Sequence, residues 1–369
     1  MVVLSLFDGM GCGMIALREL GVQVDKYYSS EVDKHCIKQV SHNFPDVIHL
    51  GDIKGVNVKD LGKVDLVIGG SPCQGFSFAG KRLNFDDPRS ALFFEFVRIW
   101  HEVKKVNPDV KFLLENVNMK KGWLRVISEY MGVFPVRINS NLVSAQNRDR
   151  WYWSNIRTKD VGLFSEVWTD IPQPEDRGIL LKDILEDEVD KKYYLNDKWL
   201  KWWDKNKEFQ LKKGYSQVDG DKTICQTTRQ YASWNGQFVC TAMRGREDGQ
   251  ELEPRDDGKT NALTSVGKDN LIFTKNYVQW DTSGKGYKSQ PDRAFYADKK
   301  HGALMSQRTE SKTGILNKDY RIRRLTPLEC ARLQTIPEWY KWVVSDSQIY
   351  KMLGNGWTVE IIKHIFSFL

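Results

Sequence analysis

The chain has 369 residues and a mass of 42.8 kDa, enough for a sizeable core and, by length, for two domains. Its 41% hydrophobic and 28% charged content is ordinary for a soluble globular protein, and no run approaches the roughly 18 apolar residues of a membrane span. Met1–Asp8 lacks the basic lead and long apolar core of a secretory signal, and the six cysteines (12, 36, 73, 225, 240 and 330) form no CxxC pair, so neither a disulfide framework nor a zinc knuckle is expected.

Along the first 157 residues, strand and helix patterns alternate. Val2–Leu6 reads as an apolar strand, and Gly9-Met10-Gly11-Cys12-Gly13 as a glycine turn. A helix follows from about Gly13 to Leu20, with Met14, Leu17 and Leu20 on one face and Gly21 as its stop. Further strands are expected at Val24–Ser30, Val47–Leu50, Val64–Ile68 and Val110–Leu114. Ser90 could cap a helix whose apolar stripe runs through Leu92, Phe93, Phe96, Val97, Trp100 and Val103. Repeated β-α units predict a mostly parallel, doubly wound α/β sheet.

The strand ends carry the chemistry. Phe7 and Asp8, Glu31, Asp52, Cys73 and Glu115 each follow an apolar strand and should gather along the carboxyl edge of the sheet, where open α/β sheets bind ligands. Cys73 stands in Gly69-Gly70-Ser71-Pro72-Cys73-Gln74-Gly75, which cannot be regular structure. A buried structural cysteine has no need of a proline and three glycines around it. The glycine turn lacks G-x-G-x-x-G spacing, and Glu31 ends the second strand, where acids bind ribose hydroxyls. The pair favours a nucleoside cofactor such as S-adenosylmethionine over NAD.

Beyond Thr158 the alternation stops. Glu166–Asp190 holds nine acids against two bases, with Pro172 and Pro174, and resembles a linker. Lys198–Trp203 is a short aromatic and basic helix candidate whose tryptophans suit packing better than base stacking. From Thr223 to Phe273, short β-like runs and Gly/Asp turns suit a small irregular β domain. The net charge of +7 is uneven: Lys191–Arg324 carries 27 Lys and Arg against 17 Asp and Glu, which is +10, leaving −3 elsewhere. That asymmetry points to a polyanion partner, the plainer alternative being a solvated lysine-rich surface. The six histidines show no tight ligand spacing, so no metal is expected. Val359–Phe368 is expected to be a final helix, with Ile362, Ile365, Phe366 and Leu369 for burial.

Taken in order, Phe7-Asp8-Gly9-x-Gly11-x-Gly13, Gly70-Ser71-Pro72-Cys73-Gln74, Glu115-Asn116-Val117, Gln146-x-Arg148-x-Arg150, Arg324-x-Thr326-Pro327-x-Glu329-x-x-x-Leu333-Gln334 and Gly354-Asn355 form a highly specific set. The set resembles the cytosine-C5 DNA methyltransferases of bacteria and phages. Trp357, where many bacterial members have valine, together with Leu92–Phe96, is similar to the de novo enzymes of animals.

The resemblance implies a Rossmann-like catalytic domain over 1–157 plus 340–369, interrupted by a small target-recognition domain over 158–339. It implies S-adenosylmethionine as donor, with S-adenosylhomocysteine as product. Cofactor contacts would come from Phe7, Asp8, Gly9, Gly11, Gly13, Glu31, Val32, Asp52, Ile53, Ser71, Pro72, Asn355 and Trp357. Glu31 would take the ribose and Asp52 the adenine amino group. Cys73 would be the nucleophile, Glu115 would contact cytosine N3 and Arg150 O2, and Arg148 would support the site or a phosphate.

Chemistry asks for these groups. Cytosine C5 is too weak a nucleophile for a sulfonium methyl until a thiolate adds at C6. A thiol with a free pKa near roughly 8.5 needs help to ionise. A carboxylic acid at N3 and a fixed cation at O2 stabilise the charge that accumulates on the ring. The base must first be flipped out of the duplex. Gln74–Arg89 is expected to be a mobile loop closing over it, with Gln74, Ser77, Lys81 and Arg82 near DNA. Arg229, Arg244, Arg246 and Arg255 are candidates for guanine or phosphate contacts in the middle domain. Double-stranded DNA is the expected partner and a cytoplasmic monomer, in a bacterial or phage-infected cell, the expected form. A tRNA-methylating relative and a catalytically dead DNA-binding homologue are the alternatives.

Overall fold

The computed structural model describes residues 1–71, 88–163, 165–232, 235–242, 244–246, 249–251 and 320–369. Its contacts divide the chain into two compact units: Met1–Ile184 with Lys222–Tyr231 and Pro327–Leu369, and Leu185–Asp221 with Ala232–Thr326.

The first unit is built on a seven-stranded sheet. Its strands are β1 (Val2–Leu6), β2 (Lys26–Ser30), β3 (Ile48–His49), β4 (Leu66–Gly69), β5 (Lys111–Val117), β6 (Val136–Asn139) and β7 (Asp149–Ser154). They lie in the order β3-β2-β1-β4-β5-β7-β6. The pairs from β3 to β5 are parallel, whereas β7 runs antiparallel to both β5 and β6. This is the doubly wound α/β sheet expected, with one reversed strand, β7, between β5 and β6.

Helices α1 (Cys12–Glu19), α2 (Lys34–Asn43), α3 (Pro88–Val106) and α4 (Lys121–Met131) complete the crossovers. The stripe on α3 is buried as its 3.6-residue spacing requires. Phe93, Phe96, Val97, Trp100 and Val103 join Leu4, Leu6, Val67, Phe112 and Leu114 in one core. Trp100 and Phe112 meet with ring centroids 4.5 Å apart. The first unit also holds α6 (Pro327–Leu333), α7 (Asp346–Asn355) and α8 (Val359–Phe366), numbered after α5 of the second unit. Helix α8, with Ile361, Ile362 and Ile365 fully buried, packs on α1 and returns the chain's end to the first β-α unit.

The boundaries expected at 157/158 and 339/340 fall instead at 184/185 and 326/327. The hairpin β8 (Thr158–Val161) and β9 (Glu166–Thr169) is bound to the first unit through Phe134, whose N–H donates to Val167 and whose carbonyl accepts from Thr169. Helix α6 belongs there because the Leu333 carbonyl accepts from Ser144 Oγ at 2.6 Å and Gln146 Nε2 at 3.3 Å. Residues 222–231 are also part of this unit, so Arg229, expected in the middle domain, lies outside it.

The second unit has a three-stranded sheet, β10 (Ser216–Val218), β11 (Gly236–Ala242) and β14 (Tyr320–Arg324), in that order. A two-stranded ribbon, β12 (Arg244–Arg246) with β13 (Gly249–Glu251), adds to it. Helix α5 (Asp197–Lys212) is longer than expected and begins at Asn196, whose side chain accepts from Trp199 N. Trp203 is buried with Leu195, Phe238 and Ile322, and Trp199 and Trp202 pack against them. These tryptophans are core, as the sequence indicated.

Candidate active site

The glycine turn between β1 and α1 is shaped by backbone angles that few side chains accept. Phe7, Gly9 and Gly11 all have positive φ (59°, 59° and 79°), and Gly11 is the N-cap of α1. Glu31, one residue beyond β2, holds this turn in place: its Oε2 accepts from Gly9 N at 2.9 Å. Its Oε1 accepts from Val32 N at 2.7 Å and Asp33 N at 2.8 Å. From the other end of the chain, Tyr340 Oη donates to the Met10 carbonyl at 2.7 Å.

Asp8 faces inward. It accepts from Ser5 Oγ at 2.6 Å, Tyr27 Oη at 2.8 Å and Ser29 Oγ at 2.8 Å. Burial outweighs these three donors and pushes its carboxyl up to about 6. Asp8 therefore serves as a buried anchor under the turn. Val32, by contrast, is 70% exposed, Asp52 is exposed beyond β3, and Ile53 sits in the core at 3%. One Asp52 oxygen accepts from Lys54 N at 3.0 Å. The carboxyl ends of β1, β2 and β3 thus present a glycine turn, an acid with an apolar neighbour, and a second acid in succession.

Glu115 lies within β5, not beyond it as expected, and is buried. The β5–β7 register pairs Glu115 with Tyr152 and Val117 with Arg150, so Glu115 and Arg150 are diagonal neighbours on one face. Arg150 Nε lies 2.9 Å from Glu115 Oε1. The two are an ion pair without an aligned hydrogen bond, because the buried Nε–H has no hydrogen-bond partner. The second carboxylate oxygen, Glu115 Oε2, accepts from the indole Nε1 of Trp357 at 3.1 Å.

The end of β4 passes directly over this pair. A methyl group at Gly70 would come within 3.0 Å of both Glu115 Oε2 and Trp357 Nε1. One residue on, Ser71 is buried and accepts through Oγ from Asn116 Nδ2 at 3.2 Å. Pro72, Cys73, Gln74, Ser77, Lys81 and Arg82, with the rest of the expected Gln74–Arg89 loop up to residue 87, lie outside the described residues. Arg255 does as well, and Arg244 and Arg246 are described only as backbone of β12.

Arg148 is buried and acts as a structural clamp. Its Nη2 donates to the carbonyls of Gly354 at 3.3 Å and Gly356 at 2.7 Å. The Gly354-Asn355-Gly356 turn is further held by Gln334, whose Nε2 donates to the Leu353 carbonyl at 2.6 Å. Trp357 is thereby aimed at Glu115, while Asn355 is exposed. The sequence reading placed Trp357 among the cofactor contacts and missed its bond to Glu115. It also missed Cys225, whose sulfur lies 3.4 Å from Arg148 Nη1 and 3.6 Å from Arg150 Nη2. Nothing in the residue spacing announces either contact. Among the described residues, no group of three or more His, Cys, Asp or Glu could hold a metal ion, and no helix is long and apolar enough to cross a membrane.

A family model for C-5 cytosine-specific DNA methylases matches residues 1–369. The orphan methyltransferase M.SPRI of Bacillus phage SPR is 30% identical to the chain, covering 99% of it and 96% of the phage protein. The type II methyltransferase M.HpaII of Haemophilus parainfluenzae is 31% identical over 98% of the chain and 86% of its own length. Among solved structures, a Spodoptera frugiperda DNMT2 mutant matches with a TM-score of 0.58 at 19% identity, covering 100% of this chain and 98% of that one. Entamoeba histolytica EhMeth matches with a TM-score of 0.61 at 14% identity, covering 100% and 97%.

Proposed function

Because the chain belongs to the family of C-5 cytosine-specific DNA methylases, and is an enzyme of that class, we propose that it methylates a cytosine flipped out of duplex DNA through a covalent bond from Cys73 to C6. The observation that carries this reading is the buried Arg150 Nε–H, unspent on hydrogen bonds beside the Glu115 carboxyl. A buried donor without an acceptor is costly, and a pyrimidine oxygen satisfies it.

Glu115 and Arg150 then present an acid and a fixed cation side by side, which matches the N3 and O2 edge of cytosine. Trp357 and Asn116 hold the acid and the start of the nucleophile segment, respectively. Cys73 attacks C6 as the thiolate, and the displaced electron pair is met at N3 by a proton from the acid form of Glu115 and at O2 by Arg150. Once C5 carries the methyl group, a base removes the C5 proton, the Cys73–C6 bond breaks by elimination, and the thiolate is returned.

The residues fit S-adenosylmethionine as the donor. The turn is open at Gly9, where a methyl would meet nothing within 4 Å, and is backed at Gly11 by Val40 and Phe44. Glu31, exposed Val32 and exposed Asp52 lie beyond the next two strands, suited to ribose and adenine. When bound, the cofactor supplies an electrophilic methyl group. Phe7 and Ser71 follow the carboxyl ends of β1 and β4, Ile53 lies in the core, and Pro72, next to Ser71 in the sequence, is proposed as a further contact.

The second unit serves as the target-recognition domain, with Arg244 and Arg246 on its ribbon as base or phosphate contacts. Its relatives include orphan and type II enzymes, so modification of phage or host DNA, as in restriction–modification, is the biological role, carried out by a monomer in the cytoplasm. Transfer of labelled methyl from S-adenosylmethionine to plasmid DNA, with transcribed tRNA in parallel and bisulfite sequencing of the product, tests the reading. Label in plasmid cytosine is expected. Label confined to tRNA, or none, would refute it.

A further inference from the structure

The segment Lys222–Tyr231 is fastened into the first unit at both ends of a short stretch. Lys222 Nζ donates to the carbonyls of Asn141 at 2.9 Å, Ser144 at 3.2 Å and Ile179 at 2.5 Å. Thr223 exchanges backbone bonds with Ala145 (2.7 Å) and Asn147 (2.9 Å). Gln226 N donates to Gln146 Oε1 at 2.9 Å, and Gln226 Nε2 to the Cys330 carbonyl at 3.1 Å. Cys225 is pinned between Thr223 and Gln226, and it has little freedom to move.

Two guanidinium groups converge on its sulfur, Arg148 at 3.4 Å and Arg150 at 3.6 Å. Arg150 is then fixed at two of its three nitrogens. Nη1 donates to the Asp149 carbonyl at 2.8 Å and Nη2 to Cys225, which leaves Nε facing Glu115. A planar guanidinium held at two corners cannot turn about its own axis.

We infer that Cys225 is a positioning residue whose sulfur, as shared acceptor for Arg148 and Arg150, sets the orientation of Arg150 in the active site. The catalytic consequence rests on the proposed function, whereas the sulfur–arginine contact does not. Burial works against ionising this thiol, but Arg148 and then Arg150 outweigh it, and its pKa is lowered. The charged groups facing the sulfur are those two arginines, with Glu115 beyond Arg150. Gln146, Gln226, Gly354 and Gly356 bring only neutral groups to the neighbourhood.

Two measurements on the full chain test the inference. In a Cys73→Ala background, the pH dependence of iodoacetamide alkylation of Cys225, followed by peptide mass spectrometry, should be half-maximal below the ordinary thiol value of about 8.5. It should move upward in Arg150→Gln. An ordinary midpoint, indifferent to that substitution, would overturn the contact. In the otherwise native enzyme, Cys225→Ala should lower kcat about 10-fold with an unchanged KM for S-adenosylmethionine, and Cys225→Ser, which keeps an acceptor, should recover most of it. Undiminished kcat in Cys225→Ala would overturn the positioning role. Absence of methyl transfer in the unsubstituted enzyme would instead refute the functional reading, leaving the alkylation result to decide the contact.

Discussion

Glu115 and Arg150 come from strands β5 and β7, and each is held by a partner that the sequence did not disclose. Their identity was legible, since an acid in Glu115-Asn116-Val117 and arginines in Gln146-x-Arg148-x-Arg150 are motif residues. Trp357 and Cys225 were not, because their contacts depend on turns that return from more than 200 and about 75 residues away along the chain. Trp357→Phe keeps the ring and removes only the N–H donated to Glu115. It should lower kcat about 5-fold with little change in the KM for S-adenosylmethionine, measured by single-turnover methyl transfer. Arg150→Lys keeps the charge but loses the planar fork, and at least about a 100-fold loss is expected in the same assay. Asp8 makes a prediction of a different kind. Its folded pKa of about 6 lies above the unfolded value, so folding takes up a proton between about pH 4 and 6, and its contribution to stability falls across that window as pH rises. Urea unfolding at pH 4.5 and 7 should show that fall in the wild type and a flatter response in Asp8→Asn.

At the scale of elements, the alternating β-α pattern was readable because each strand is an apolar run and each helix carries a 3.6-residue stripe. The reversed strand β7 was not expected, since its sequence (Asp-Arg-Trp-Tyr-Trp-Ser) lacks a simple apolar run. That reversal matters, since the antiparallel β5–β7 register is what sets Arg150 diagonally beside Glu115. The last turn of α7 is equally decisive. A methyl on Gly354 would sit 2.4 Å from the backbone of Thr227 and Thr228. Neither backbone can yield cheaply, so Gly354→Ala should cost about 3 kcal/mol in stability and displace the Cys225 segment as well. Thermal unfolding of the variant measures the first effect, and loss of the lowered Cys225 alkylation midpoint the second.

For the molecule as a whole, composition revealed the size and the charge asymmetry, and motif order led to the expectation of a discontinuous first domain with an insertion. The contacts give two units, the first assembled from three separate stretches of chain. The true borders were hidden because the β8–β9 hairpin and α6 are tied to the first unit by backbone and side-chain bonds that have no signature in composition. Residues 222–231 are a deeper case: these ten residues belong to the first unit, where Cys225 meets Arg148 and Arg150. The excess of +10 over Lys191–Arg324 predicts that DNA affinity falls steeply with salt, with a log–log slope steeper than about −3 in fluorescence anisotropy. A flat dependence would mean that this charge faces solvent and not phosphate. The most direct measurement is a trapping experiment: duplex DNA carrying 5-fluorocytosine at the methylated position, incubated with enzyme and S-adenosylmethionine, then digested and analysed by mass spectrometry. The account predicts a stable adduct on the peptide containing Cys73, absent in Cys73→Ala; an adduct on another residue, or none with active enzyme, would contradict it.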